Sequence, residues 1–262
     1  MSRWVLRVGT LGYLAAILLV PVGFVFYRAF EHGFAHAWHA VTTHEAVHAL
    51  VLTLLIAAIA VPVNTIVGVI LALELVRGRW RGRGLLNAVV DLPLAISPVI
   101  VGLGLVLLYG RGGWLGGLSD HGLKILFSVP GMVLATMFVS MPFVVREVVP
   151  VLREVGTEQE QAAETLGGSA FQVFRRVTLP SIRGAVAYGV VLTTARAIGE
   201  FGAVSAVSGN VEGKTQTLPL YVKAQFDGFD TTGAYASSVV LALIAIGTVV
   251  GMRAFHAKEE VR

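Results

Sequence analysis

The sequence predicts an all-α membrane protein with six transmembrane helices and both termini in the cytoplasm, and three observations predict it. Of 262 residues, 55% are hydrophobic and only 14% charged, whereas a soluble domain carries about 25% charged residues. The apolar residues come in six blocks, each long enough to cross a hydrocarbon core of about 30 Å, which takes roughly 20 helical residues. The cations fall unequally on alternate loops, the pattern that sets orientation in a membrane.

The first block, Val8 to Tyr27, follows Arg3 and Arg7 and so has the flank of a secretion signal. It runs through Phe26 and Tyr27 to Arg28 with no small-residue cleavage pattern, longer than a signal core, and is expected as a helix of the mature protein. Ala49 to Leu73, Ala88 to Tyr109, Ile125 to Val145, Gly184 to Ser208 and Ala234 to Met252 are the other five. Together they are expected to form one transmembrane domain over 1–262, with helix 1 at about 8–27 and core helices 2 to 6 within about 49–252. None of the blocks alternates as a lipid-facing barrel strand does, which leaves helices as the way to satisfy the backbone inside hydrocarbon. Pro62, Pro93, Pro98, Pro130 and Pro142 mark expected kinks.

With the N-terminus inside, the inside segments hold Arg3, Arg7, Arg77, Arg79, Arg81, Arg83, Arg146, Arg153, Arg175, Arg176, Arg183, Arg253, Lys258 and Arg262. The outside segments hold only Arg28, Arg111, Lys124, Lys214 and Lys223, and Arg196 lies within the fifth block. Topology therefore accounts for the net charge of +4. Juxtamembrane cations meet anionic lipid headgroups rather than nucleic acid, since no basic groove with stacking aromatics is present. The absence of cysteine excludes disulfides and thiolate metal sites.

The inside loops are unequal. Arg77 to Asn87 is a short basic hairpin, whereas the segment 146–183 is long enough to need structure of its own. Thr157-Glu158-Gln159-Glu160 reads as a helix start, with a short helix through Ala162, Ala163 and Leu166 and a turn at Gly167-Gly168. A second piece, Ala170 to Val177, leads to Leu179-Pro180. Small residues on such a loop allow another protein's backbone to approach closely; an amphipathic loop helix resting on the membrane is the plainer alternative.

Gln161-Ala162-Ala163, then Gly167, then Val177-Thr178-Leu179-Pro180 resembles the loop motif of ABC importer permeases, Glu-Ala-Ala, three residues, Gly, nine residues, Ile-x-Leu-Pro. Two departures occur, Gln161 for Glu and Val177 for Ile. In that family the loop, lying between transmembrane helices 4 and 5, forms a coupling helix that docks in the ATP-binding subunit. The resemblance therefore implies coupling roles for Glu160, Gln161, Ala162, Ala163, Glu164, Gly167, Leu179 and Pro180, with Glu160 or Glu164 supplying the charge that Gln161 lacks. Ala195 to Val204, Ser208-Gly209-Asn210 and Gly213 to Leu220 are similar to sulfate and thiosulfate permeases of the CysW type, as are Asp91-Leu92-Pro93, Ser97 to Gly102 and Leu107 to Gly110. Molybdate and tungstate permeases share part of this pattern and remain the alternative. The family implies a dimer of ATPase subunits using ATP and Mg, a second and different permease subunit, a soluble oxyanion-binding protein, and residence in the bacterial inner membrane.

Arg196 and Glu200 lie four apart and on a helix share a face. Charges at the centre of a bilayer are costly, so both are expected in the protein interior or along a water-lined route. Two readings stay open: an ion pair that locks packing, or a translocation gate in which Phe201, Ser97 and Thr194 also take part. Thr193, Ser205 and Ser208 offer further hydroxyls, though small polar residues in such helices also serve packing. His32, His36, His39, His44 and His48 crowd the first outside loop and are expected as a solvated segment, with no metal site. No phosphate-cradling loop, nucleophile elbow or His-Glu-x-x-His helix is present, so an enzyme is not expected and this chain is expected to bind no cofactor itself. A membrane scaffold or receptor without a transport path is the rival from another class.

Overall fold

In the computed structural model, described over residues 3–120 and 124–259, all regular secondary structure is helical. Arg262, counted among the inside cations, lies outside the described residues, as do the side chains of Arg3, Arg253 and Lys258. The helices in order are α1 (Arg3–Phe30), α2 (Phe34–Val41), α3 (His44–Arg77), α4 (Arg83–Ala95), α5 (Pro98–Tyr109), α6 (Gly117–Asp120), α7 (Val129–Val155), α8 (Glu158–Thr165), α9 (Ala170–Val173), α10 (Leu179–Ile198), α11 (Gly202–Val207), α12 (Leu218–Asp227) and α13 (Thr231–Glu259). Arg7–Phe30, His44–Arg77, Val129–Val155 and Thr231–Gly251 are long and apolar enough to cross a membrane, and the α4–α5 pair makes a fifth if it counts as one span.

Six helical spans with kinks at the prolines were the expectation, and the third and fifth blocks depart from it, as full breaks, for identifiable reasons. The third breaks between Ala95 and Pro98, where the two segments meet at 110°. The ring of Pro98 forces the preceding residue out of helical geometry, and Ile96 and Ser97 are accordingly extended, at ψ 138° and 133°. The fifth block belongs to α10, which starts at Leu179, and continues after a break at Gly199 to Phe201 as α11. Arg183 and Arg196 interrupt the apolar run of α10, so by composition it falls short of the four long helices.

The chain forms two compact units, residues 1–52 with 211–244 and residues 53–210 with 245–262. In the first, Ala46, Ala49, Leu218 and Tyr221 are buried together, with Leu50, Val240 and Leu241 against them. Phe24 of α1 meets Tyr235 of α13 edge to face, at 6.2 Å between ring centres. Most of α1 is otherwise uncovered apolar surface, from Val8 to Phe24, as suits a helix whose solvent is lipid.

In the second unit the core runs along α3, α4, α7 and α10 through Val69, Ala72, Val90, Val144, Val148, Leu152 and Ile182. Val144 of α7 sits between two glycines: a Cβ added at Gly68 of α3 or at Gly189 of α10 would stand 2.8 or 2.9 Å from it. Small residues at such crossings let helix backbones approach closely. A buried Asn64 amide on α3 donates to the Met137 carbonyl and the Ser140 hydroxyl of α7, both at 2.9 Å. Arg146 of α7 donates to Asp91 (2.7 Å) and Asn87 (3.1 Å), fixing α4 against α7.

Candidate functional site

Two constellations in the second unit carry the residues singled out in the sequence. The first is the loop after α7. Gly156, at φ 68°, turns the chain, and α8 follows; Gly167, at φ 86°, turns it again. Thr157 holds the N-cap position but makes no side-chain cap; its hydroxyl accepts from the Gln161 amide at 3.1 Å. Ser169 and Gln172 form a capping box that starts α9. A π-helical turn, Phe174–Thr178, then leads into α10. Pro180 has no N–H to donate and its ring crowds the carbonyl four residues back, which favours a widened turn at this point.

Glu160 is turned inward. Its carboxylate lies 3.0 Å from Arg77 Nε at the end of α3, and accepts from the Thr178 hydroxyl at 2.8 Å. The same Arg77 donates to the Gly156 carbonyl. One carboxylate thus ties α8 to the end of α3 and the start of α10. Gln161, Ala162, Glu164 and Gly167 face outward, Ala163 is half-buried, and Leu179 and Pro180 are exposed at the start of α10. Leu166 and Phe171, which the sequence reading did not assign a role, are the large apolar side chains left open here, at 90% and 69% exposure.

The second constellation lies where the two broken helices meet. Arg196 in the last turn of α10 approaches Glu200 Oε2 at 2.7 Å, with Glu200 almost wholly buried. The other oxygen of Glu200 accepts the Ala203 N–H at 2.7 Å, so the carboxylate caps α11 while the cation stands at the C-terminal end of α10, each at the dipole end that suits it. Glu200 is not inside a continuous helix, as expected, but in the break. α11 packs tightly on α5: a Cβ at Gly202 would lie 2.9 Å from Pro98 Cβ, and one at Gly102 would lie 2.5 Å from the Ala203 carbonyl.

The break at Ser97 and the break at Glu200 are thereby brought together, with Phe201 partly exposed beside them. Thr194 satisfies its own backbone, donating to Val190 O at 2.7 Å. Thr193 is buried with a hydroxyl that has no partner among the described residues. Phe127 N–H bonds Val207 O at the end of α11 (2.8 Å) and lines a cavity of about 790 Å³ that also holds Arg111 and Lys124. No three histidines or carboxylates among the described residues come together as a metal site; His36 and His39 instead line a separate cavity with Tyr221 and Asp230.

Residues 64–258 match the family described as binding-protein-dependent transport system inner membrane component. The chain belongs to this family. It is also 49% identical over 249 residues to the sulfate transport system permease protein CysW of Synechocystis sp., covering 95% of this chain and 90% of that protein. The CysW protein of Escherichia coli K12 is 50% identical over 236 residues (90% and 81% covered). The CysT permease of Salmonella typhimurium is 39% identical over 240 residues (90% and 87% covered). Among solved structures, a bacterial ABC transporter for import of the polysaccharide alginate superposes with TM-score 0.81 at 19% identity, covering 97% of this chain and 94% of that one. A second alginate transporter structure, in complex with an alginate-bound periplasmic protein, gives 0.79 at 20% identity, with 95% and 91% covered. At those identities the likeness speaks for the fold.

The resemblance read from Gln161-Ala162-Ala163 and from Ala195 to Val204 is thus supported by relatives spanning nearly the whole chain. As an inner membrane transport component, the chain has the Gln161 loop and the Arg196–Glu200 break in one structural unit. α10 begins at the first and ends at the second.

Proposed function

We propose that this permease forms the membrane path for sulfate or thiosulfate in an ATP-driven importer, and that a separate ATPase dimer, using ATP and Mg, drives it. The observation that carries this reading is the roughly 50% identity to sulfate transport permeases over 90% or more of the chain. A second, different permease of the CysT kind and a soluble oxyanion-binding protein complete the complex, which sits in the bacterial inner membrane with six spans and both permease termini cytoplasmic. This chain itself binds no cofactor.

On this reading α8 is the coupling helix. Gln161, Ala162, Ala163, Glu164 and Gly167 meet the ATPase, Leu166 and Phe171 supply apolar contact, and Leu179 and Pro180 begin the helix that carries motion inward. Glu160 holds the coupling helix to its own subunit, which leaves Glu164 as the carboxylate offered to the partner. Arg196, Glu200, Phe201, Ser97 and Thr194 form the gate at the junction of the broken helices. The test is uptake of labelled sulfate in cells with and without the subunit, competed by thiosulfate, molybdate and tungstate. Uptake that depends on the subunit and is competed by thiosulfate supports the proposal. Competition by molybdate and tungstate alone would assign the path to those anions, and uptake independent of the subunit would remove the transport reading altogether.

A further inference from the structure

We infer that the cavity between the end of α3, the start of α4 and the end of α7 is a site for the phosphate of an anionic phospholipid. The cavity measures about 400 Å³ and is lined by Leu75, Val76, Arg83, Gly84, Asn87 and Arg153. Two arginines therefore line one space whose described lining holds no carboxylate. Neither guanidinium makes a hydrogen bond or ion pair to another described residue, although those of Arg77 and Arg146, close by in sequence, are both paired with acids. Two like charges around one cavity repel unless an anion lies between them, and guanidinium groups suit phosphate oxygens through their forked donors.

Three features favour a lipid over a free anion. The wall contributed by Leu75 and Val76 is apolar and continues into the apolar run of α3. Beside the cavity, α4 exposes Leu85 and Val89, whose side chains need an acyl chain or another apolar cover. Trp80, half exposed and packed over Gly82 in the hairpin before α4, is the residue type that gathers at headgroup depth. Basic pockets between helices at the cytoplasmic surface are the general form of anionic headgroup sites. The inference rests on the chain spanning a membrane and not on which anion it transports.

The test is native mass spectrometry of the full-length chain, with the subunits that co-purify, after exchange into phosphatidylglycerol or phosphatidylcholine. The wild type should retain phosphatidylglycerol, and R83Q/R153Q should lose it roughly thirtyfold, as two surface cations' worth of attraction predicts. R83K/R153K should retain it within a few-fold, as should R79Q/R81Q, whose arginines lie outside the cavity. If the double variant does not fold, each single variant should lose about fivefold. Equal retention by wild type and R83Q/R153Q, or equal retention of the two lipids, overturns the inference. So does inorganic phosphate stabilising the phosphatidylcholine form as much as phosphatidylglycerol does, since that outcome assigns the site to a free anion. Retention is measured on the resting complex, so it succeeds or fails independently of sulfate uptake.

Discussion

Replacing Glu160 with Gln should loosen α8, the coupling helix on the proposed reading, while leaving its outer face unchanged. The amide oxygen can still accept from Thr178, now 2.8 Å away, but the amide nitrogen turns a donor toward the Arg77 guanidinium. The ion pair lost has side chains about one-fifth exposed, at 18% and 21%. That places it between an exposed pair, at about 0 to 1 kcal/mol, and the breaking of a buried pair, at about 3 to 5 kcal/mol. About 2 kcal/mol is the expected loss, which makes opening of the clasp roughly thirtyfold more frequent and lowers the thermal midpoint by roughly 4 to 8 °C for a domain of this size. In the reconstituted complex, sulfate moved per ATP hydrolysed should fall, because the ATPase would act on a helix no longer tied to α3 and α10. E164Q, whose carboxylate faces outward, should leave the midpoint unchanged and weaken ATPase association instead. The reasoning is refuted if E160Q and E164Q behave alike, or if E160Q and R77Q add within about 0.5 kcal/mol in a double-mutant cycle.

R196Q should reduce uptake at least tenfold while co-purification with the ATPase is unchanged; normal uptake by this variant would exclude a gating role. At the same break, E200Q keeps an acceptor for Ala203 N–H and should fold, whereas E200A loses the cap and should be about 1 kcal/mol or more less stable, measured by thermal unfolding. G102A should cost roughly 1 to 3 kcal/mol because its methyl meets the Ala203 carbonyl. G104A on the same helix meets nothing within 4 Å and should be neutral or slightly stabilising in the same unfolding measurement. L166S should weaken binding of the ATPase about tenfold or more, as burial of a leucine is worth roughly 1.5 to 3 kcal/mol, with no change in the permease's own unfolding.

The helical class and the short helix Glu158–Thr165 with its glycine turn were legible because both depend on local chemistry. An apolar block of 20 residues needs no partner to be recognised, and Gly167 marks its turn because the position requires a positive φ. The Ser169-x-x-Gln172 capping box is equally local, whereas the helix-start pattern at Thr157-Glu158-Gln159-Glu160 points to a cap that Thr157 does not make. The breaks were harder. The apolar blocks resume on the far side of Ser97 and of Gly199-Glu200-Phe201, so block length alone passes over both breaks; Ser97-Pro98 was the signal for the first, and it marks a kink as readily as a break. The inward turn of Glu160 was not readable at all, because Arg77 lies 83 residues away and nothing in the loop distinguishes Glu160 from Glu164 before the helices pack.

The geometry at the second break bears on how a doubly charged anion could pass. A lone buried arginine would hold such an anion strongly in a medium of low dielectric constant, and conduction requires that binding be weak enough to release. Here the guanidinium of Arg196 is already matched by Glu200, whose second oxygen is committed to Ala203 N–H. The pair presents donors without a net charge, so on the proposed reading it can steer an oxyanion past α11 without trapping it. The close contact of Gly102 with Ala203 and of Gly202 with Pro98 couples that cap to α5 directly. A tilt of α10, transmitted from the clasp at Thr178, would have to move α5 or break the Glu200 cap. Movement of α5 together with α11 keeps the Glu200 carboxylate buried and its cap intact, and on the proposed reading it is therefore the expected course of opening.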